Sequence, residues 1–92
     1  MDIVFLRDLR VDTVIGVYDW ERRIRQTVSV DLEVATDVSR AAADDAIEAA
    51  VDYKALADRV RGFIAQSEFR LVETLAERTA AMILAEFGVP WL

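Results

Sequence analysis

Histidine and cysteine are both absent from this 92-residue chain. Their absence excludes a disulfide framework, thiolate chemistry, histidine-dependent catalytic triads and the usual zinc sites. Lys54 is the only lysine, and Gly16, Gly62 and Gly88 are too far apart in sequence to form a phosphate-binding glycine loop. Any chemistry must therefore come from carboxylates, tyrosines, arginines, Lys54 or backbone groups.

Long apolar runs are also missing. No stretch reaches the ~18 apolar residues that a membrane span needs, and the N-terminus lacks the basic and apolar segments of a signal peptide. The net charge of −6 is unfavourable for binding nucleic acid or an anionic membrane. We therefore expect a cytoplasmic protein that has neither nucleic acid nor a membrane as its partner.

The length allows one domain, which we expect to span residues 1–92. A chain this short buries only roughly 60–65% of its unfolded surface, so it often gains stability from oligomerising. Nevertheless, 54% of its residues are apolar. That proportion indicates a surface hidden against a partner, although an alanine-rich helix would also raise it.

Two N-terminal stretches predict an antiparallel hairpin. Residues 3–17 are rich in aliphatic side chains with an imperfect period of two, which predicts a long first strand that ends near Gly16. Residues 27–36 alternate cleanly, with Val28, Val30, Leu32 and Val34 on one face. The connection between the strands is predicted to be a wide loop of about nine residues.

Two amphipathic helices are predicted over residues 53–66 and 71–87, with Asp52 as the N-cap of the first and Gly88 after the end of the second. The predicted buried positions are Tyr53, Leu56, Ala57, Val60, Phe63 and Ile64 in the first helix, and Leu71, Val72, Leu75, Ala76, Thr79, Met82, Ile83 and Phe87 in the second. Residues 41–51 remain ambiguous between helix and turn. A two-stranded sheet is marginal, and residues 89–92 look like the start of another strand.

The connection between the strands contains Tyr18, Trp20 and Glu21, which is unusual for a loop. One interpretation is a hairpin whose aromatic side chains cover an apolar edge and whose Glu21 is solvated. The other is the wall of a pocket for a planar ligand. The nearby arginines 22, 23 and 25 indicate either a solvated loop or an anion site.

Two residues of the helical region have the same ambiguity. Tyr53 is either a core residue with its hydroxyl at the surface or a proton relay and stacking platform. Glu73 is either a first-turn acid favoured by the helix dipole or a ligand-binding carboxylate. We expect Glu73 or Glu77 to point inward, where it would need paired donors such as an amino group beside a ring N–H.

The segments GVYDWE, VDY and LVETLAE, in this order, resemble dihydroneopterin aldolase of the folate pathway, and the similarity runs over nearly the whole chain. The resemblance implies an α+β tunnelling fold, in which an antiparallel sheet carries two helices on one face. It also implies a homo-oligomer, a tetramer ring or an octamer, with a pterin site at each subunit interface and neither metal nor cofactor.

The resemblance further implies roles for individual residues. Glu73 would bind the 2-amino group and N3–H of the pterin, the backbone at Leu71 and Val72 would line its other edge, and Glu21 would lie near the substrate side chain. Val51 and Tyr53 would come from the neighbouring subunit. The catalytic residues that the resemblance implies are Glu21 and Tyr53. The implied reaction is a retro-aldol cleavage that needs neither a Schiff base nor a metal.

One feature of the family is missing from the sequence. The family's catalytic lysine lies in a strand after the second helix, beyond Leu92, and Lys54 is not its counterpart. We therefore expect the domain to be incomplete at its C-terminus, with the last strand or strands missing, and its aldolase turnover to be impaired. Two alternatives to the aldolase stay open: an epimerase acting at C2′ of the same substrate, and a non-catalytic domain that binds pterin or forms oligomers.

Overall fold

The computed structural model describes residues 2–36 and 51–92. They form a two-stranded antiparallel sheet followed by two helices. The strands are β1 (Asp2–Thr13) and β2 (Gln26–Thr36), and the helices are α1 (Tyr53–Gln66) and α2 (Val72–Phe87). Within this described part, neither helix has the length and hydropathy of a membrane span.

The predicted hairpin is confirmed, with Asp2 opposite Thr36 at one end and Thr13 opposite Gln26 at the other. However, β1 ends at Thr13 and does not continue to Gly16. Beyond the last pair, the carbonyl of Ile15 accepts a hydrogen bond from the side-chain amide of Gln26 at 2.9 Å. The side chain of Gln26 therefore continues the contact between the two segments beyond the last backbone pair. The connecting loop is longer than predicted.

A bulge explains the imperfect alternation of β1. The register shifts between Leu6 and Leu9, and Asp8 has a left-handed backbone with φ of 51°. The Asp8 N–H donates to the Asp31 carboxylate at 2.7 Å, and the Asp8 carboxylate accepts from the hydroxyl of Ser29 at 2.8 Å. The extra residue turns both leucines toward the same face, although they are three positions apart.

Both predicted helix termini are confirmed. The Asp52 carboxylate accepts hydrogen bonds from the backbone N–H groups of Lys54 and Ala55, each at 3.1 Å. Gly88 follows α2 with φ of 61°, the left-handed conformation that glycine adopts at low cost. The start of α2 differs, because Leu71 precedes it without a side-chain cap.

The core lies between one face of the sheet and the two helices. Its buried apolar residues are Leu9, Val11, Leu32, Val34, Leu56, Val60, Ile64, Leu75, Met82, Ile83 and Val89. The burial predicted for Tyr53, Leu71, Val72 and Ala76 is wrong, because all four are exposed. All four lie just before a helix or within its first two turns. There the apolar stripe of the helix extends beyond the buried core.

The C-terminal residues contact the free edge of β2. The backbone N–H of Ala35 donates to the carbonyl of Trp91 at 3.1 Å, and Val89 is buried. Within the described residues this is a single hydrogen bond, and residues 89–92 do not form the predicted strand. The ambiguous stretch 41–51 lies outside the described residues apart from Val51, which has no regular structure.

Candidate functional site

Glu21 folds back onto its own loop. Its carboxylate accepts hydrogen bonds from the backbone N–H of Tyr18 at 3.1 Å and from the side-chain amide of Gln26 at 3.3 Å. The Glu21 N–H donates to the Tyr18 carbonyl at 3.0 Å, so the two residues bond reciprocally. Glu21 is half-buried, and the interpretation of it as a solvated side chain is wrong.

Gly16 makes this position of Glu21 possible. A Cβ atom built on Gly16 would overlap the Glu21 carboxylate, and the backbone of Gly16 has φ of 124°, which side-chain-bearing residues rarely adopt. The glycine, the 3-10 turn over Glu21–Arg23 and Gln26 together hold one carboxylate in a defined orientation. Sequence reasoning missed the contribution of Gln26, because the side-chain contact crosses the loop.

The loop aromatics do not cover an apolar edge of the described chain. Tyr18 is 65% exposed and Trp20 is 59% exposed. Exposed aromatic side chains next to a half-buried carboxylate are typical of a ligand site or of a surface that contacts a partner.

Two of the three loop arginines are structural, so the interpretation of all three as solvated is wrong. The Arg22 guanidinium donates to the carbonyls of Gly16 at 3.0 Å, Phe69 at 3.1 Å and Glu68. The Arg25 guanidinium donates to the carbonyls of Asp12 and Ala65, both at 2.9 Å. Of the three arginines, Arg23 is the one whose exposed side chain makes no hydrogen bond or ion pair with the described residues.

Arg22 thereby brings the Glu21 loop next to the segment that leads into α2. Leu71, Val72 and Glu73 follow this segment directly, and all three are exposed. Glu73 lies in the first turn of α2. In the described chain neither Glu73 nor Glu77 points inward, so the expectation that one of them does is wrong for the single chain.

Val51 and Tyr53 lie at the other end of α1. The helix has 14 residues, so its ends are about 20 Å apart at the usual rise per residue. Tyr53 begins the helix, whereas the segment before α2 follows its last residue, and Tyr53 is 63% exposed. The structure therefore brings the Glu21 loop to the segment before α2 but does not bring Val51 and Tyr53 to the same place.

The resolved pKa shifts lie away from these residues. Hydrogen bonds from Arg10 and Ser29 lower the pKa of Asp8. On the helices, the bidentate pair of Arg59 and Glu86, with both distances 2.8 Å, raises the pKa of the guanidinium and lowers the pKa of the carboxyl. Among the described residues, no three side chains of the metal-binding types are grouped around a common point.

Comparison with known proteins gives consistent matches. The family model described as FolB, dihydroneopterin aldolase, matches residues 4–92. The dihydroneopterin aldolase of Escherichia coli strain K12 is 42% identical over 92 residues, which cover 100% of this chain and 75% of that protein. The dihydroneopterin aldolase of Streptomyces coelicolor is 40% identical over 89 residues, covering 97% and 75%.

A solved structure agrees with the sequence relatives. The crystal structure of Escherichia coli dihydroneopterin aldolase in complex with neopterin superposes with a TM-score of 0.94 and 42% identity, covering 98% of this chain and 78% of that one. The expected α+β tunnelling fold is thereby confirmed. A family model over almost the whole chain, close relatives and a matching fold lead to one conclusion: the chain belongs to the dihydroneopterin aldolase family.

Proposed function

We propose that the chain acts as a carbon–carbon lyase that cleaves 7,8-dihydroneopterin into 6-hydroxymethyl-7,8-dihydropterin and glycolaldehyde, a step of folate biosynthesis. The observation that carries this proposal is the similarity over 98% of the chain to the Escherichia coli structure with neopterin. The relatives reported above bear the aldolase name, so they lend no support to the epimerase or to the non-catalytic alternative.

The pterin ring binds at the start of α2 in this proposal. The exposed Glu73 carboxylate has no hydrogen-bond partner within the described residues, so it can accept from two adjacent donors. The 2-amino group and N3–H of a pterin provide such a pair, and a charged acceptor strengthens both bonds. The backbone at Leu71 and Val72 lines the other edge of the ring.

The site is completed by a second copy of the chain. Tyr53 and Val51 lie at the opposite end of α1 from the segment that leads into α2, and a 14-residue helix is about 20 Å long, which exceeds the reach of one pterin. The exposure of Tyr53, Leu71 and Val72 fits surfaces that a neighbouring subunit covers. We therefore assign Val51 and Tyr53 to the site of the adjacent subunit in a homo-oligomer.

The reaction begins when a base removes the proton from the 2′-hydroxyl of the substrate. The bond between C1′ and C2′ then breaks, glycolaldehyde leaves, and the electron pair moves into the protonated C=N5 group of the ring. The resulting enamine takes up a proton at C1′ and loses the proton at N5, which gives the hydroxymethyl product. Because the ring accepts these electrons, no Schiff base with the protein is required. Glu21 lies on the side-chain end of the substrate, and Tyr53 takes part in moving the proton.

Lys54 has no part in this scheme. Its ammonium is 3.2 Å from the Asp58 carboxylate, and its side chain is exposed on α1. The resemblance instead assigns the proton at N5 to a lysine that follows the second helix, a position that Lys54 does not occupy.

The proposal is tested by incubating the 92-residue chain with 7,8-dihydroneopterin and separating the pterins by chromatography. Hydroxymethyl-dihydropterin is the expected product, formed slowly, because the loss of one proton-transfer group typically lowers a rate by ~10²–10⁴-fold. Formation of an isomer of the substrate would favour the epimerase, and pterin binding without turnover would favour the non-catalytic alternative. A chain that neither binds nor cleaves the pterin overturns the proposal.

The role of Glu73 is tested by Glu73→Gln. We expect pterin binding to weaken by roughly 10-fold or more, because a charge-assisted pair becomes a neutral contact. Glu77→Gln is the matched control, since it makes the same change one turn later on the exposed surface of α2. Fluorescence titration with neopterin measures both. Equal affinities of Glu73→Gln and the unsubstituted chain would remove Glu73 from the site.

A further inference from the structure

One guanidinium connects the two parts of the proposed site. Arg22 follows Glu21 directly, and its Nη1 donates to the carbonyls of Gly16 and Phe69 while its Nη2 donates to the carbonyl of Glu68. The first carbonyl belongs to the glycine against which the Glu21 carboxylate lies. The other two precede the Leu71–Glu73 segment by only a few residues.

We propose that Arg22 is a positioning residue for the cleavage reaction: it fixes the Glu21 loop relative to the pterin-binding start of α2. This inference rests on the proposed function. Arg22 acts here through the backbone and not on the substrate, because both N–H groups of Nη1 and one of Nη2 donate to carbonyls of its own chain. It acts by holding the Glu21 loop at a set distance from the residues that bind the ring.

The geometry of the side chain suits this role. A guanidinium presents its N–H donors in a rigid planar fork, so it can bond carbonyls of two segments at once with little freedom between them. Arg22 is half-buried, and within the described residues no carboxylate pairs with it to draw it away. The misplacement of a catalytic group by about 1 Å can lower a rate by ~10²-fold, so a loose connection here matters.

The chain provides two matched controls. Arg23 lies in the same 3-10 turn and carries the same charge, but its side chain is exposed and has no side-chain partner in the described part. Arg25 also bonds two carbonyls, those of Asp12 and Ala65. Arg25 connects β1 to α1 and does not connect the Glu21 loop to the segment before α2. Its substitution therefore shows the effect of losing a carbonyl-binding arginine elsewhere in the fold.

The first measurement is a distance that does not depend on activity. The chain has no cysteine, so introduced cysteines are the only sites that a thiol-reactive nitroxide label modifies. Asp19→Cys places one label on the Glu21 loop, and Arg70→Cys places the other on the segment before α2. Labelled chains are diluted with unlabelled chains so that only distances within one chain are recorded by electron paramagnetic resonance. We expect Arg22→Met to broaden the distance distribution, and Arg25→Met and Arg23→Met to leave it unchanged.

The second measurement separates turnover from binding. We expect Arg22→Met to lower kcat for dihydroneopterin by ~10–100-fold while KM and the affinity for hydroxymethylpterin change less than ~3-fold, because the ring-binding residues remain in place. Arg25→Met should lose a comparable amount of stability toward urea and retain its kcat. Arg22→Lys should lie between Arg22→Met and the unsubstituted chain, since one ammonium cannot reproduce the fork.

Each outcome discriminates. An unchanged distance distribution in Arg22→Met overturns the inference whether or not the chain is active, and so does an unchanged kcat. A fall in kcat of similar size in Arg25→Met would reduce the role of Arg22 to general stability and also overturn it. If the unsubstituted chain cleaves no dihydroneopterin, the proposed function fails, while the label distances still decide whether Arg22 couples the two segments.

Discussion

At the scale of single residues, Asp8 combines a strained backbone with a shifted pKa. Its left-handed φ of 51° costs energy for a residue other than glycine, and hydrogen bonds from Arg10 and then Ser29 lower its pKa. A carboxyl whose pKa is lowered by folding stabilises the fold above its unfolded pKa, near 3.9. That stabilisation is lost as the pH falls through the folded pKa.

We therefore expect the stability difference between the unsubstituted chain and Asp8→Asn to shrink as the pH falls from neutral to below the folded pKa. Asparagine tolerates the left-handed backbone, so the substitution removes mainly the charge. Urea unfolding across this pH range measures the difference.

In Arg10→Gln, carbon-13 titration should find the pKa of Asp8 higher than in the unsubstituted chain, because the main cause of its lowering is gone. An unmoved pKa would contradict this account.

At the scale of elements, one buried hydroxyl joins the end of β1 to the end of α1. The Thr13 Oγ1 lies 2.7 Å from the carbonyl of Ile64 and 2.9 Å from that of Ser67, and Thr13 is fully buried. Thr79 on α2 has the opposite character, since its buried hydroxyl has no hydrogen-bond partner in the described part. Substitution of Thr13 removes a hydroxyl that makes a hydrogen bond, whereas substitution of Thr79 removes one that makes none. Comparing the two separates the free energy of the hydrogen bond from the effect of removing a buried oxygen.

We expect Thr13→Val to lower the free energy of unfolding by about 0.5–1.5 kcal/mol, because it removes a buried hydrogen bond while the Ile64 carbonyl keeps the backbone N–H of Ser67 as a donor. Thr79→Val should be neutral or stabilising, because it replaces an unpaired polar group by a methyl group of the same shape. Urea unfolding of both variants provides the measurement. Equal losses at the two positions would show that shape, and not hydrogen bonding, determines the effect.

The elements themselves followed from local patterns. The cap at Asp52, the glycine after α2 and the alternation of β2 are signals within a few residues, and the structure has each where it was predicted. The bulge at Asp8 and the bonds of Arg22 were not predictable in this way. They depend on partners 23 and 47 positions away in the chain, at Asp31 and Phe69, which periodicity does not reveal.

The same distinction holds for the candidate site. The types of Glu21, Tyr53 and Glu73 indicated ligand chemistry, and the resemblance gave them roles. Their placement depends on tertiary contacts, because Gly16, Gln26 and Arg22 orient the loop and the length of α1 separates Tyr53 from Glu73. No pattern along the sequence contains these distances.

At the scale of the whole molecule, the chain exposes more than a compact monomer should. Its radius of gyration is 15.1 Å, against about 12 Å for a compact domain of this length. Tyr18, Trp20, Tyr53 and Val72 are each more than half exposed. These side chains surround the two halves of the proposed site, which fits an assembly in which subunits cover them.

An interface site has a consequence that a site within one chain lacks. Tyr53→Ala and Glu73→Gln should each reduce cleavage of dihydroneopterin in a pure oligomer, and neither opens the core because both side chains are exposed. When the two variants are unfolded together and refolded as a mixture, some sites receive Tyr53 from one chain and Glu73 from the other. Random mixing of equal amounts gives about a quarter of the sites both residues, so activity should return to about that fraction.

The pterin products of the mixture, of each variant refolded alone and of the unsubstituted chain refolded alone are compared by chromatography. Each variant chain lacks one of the two residues, and mixing does not change that. A site within a single chain therefore predicts no recovery of activity at any mixing ratio. A mixture no more active than its components would therefore place Tyr53 and Glu73 in the same chain or remove one of them from the site. Recovery that rises and falls with the mixing ratio would require each site to use Tyr53 and Glu73 from different subunits.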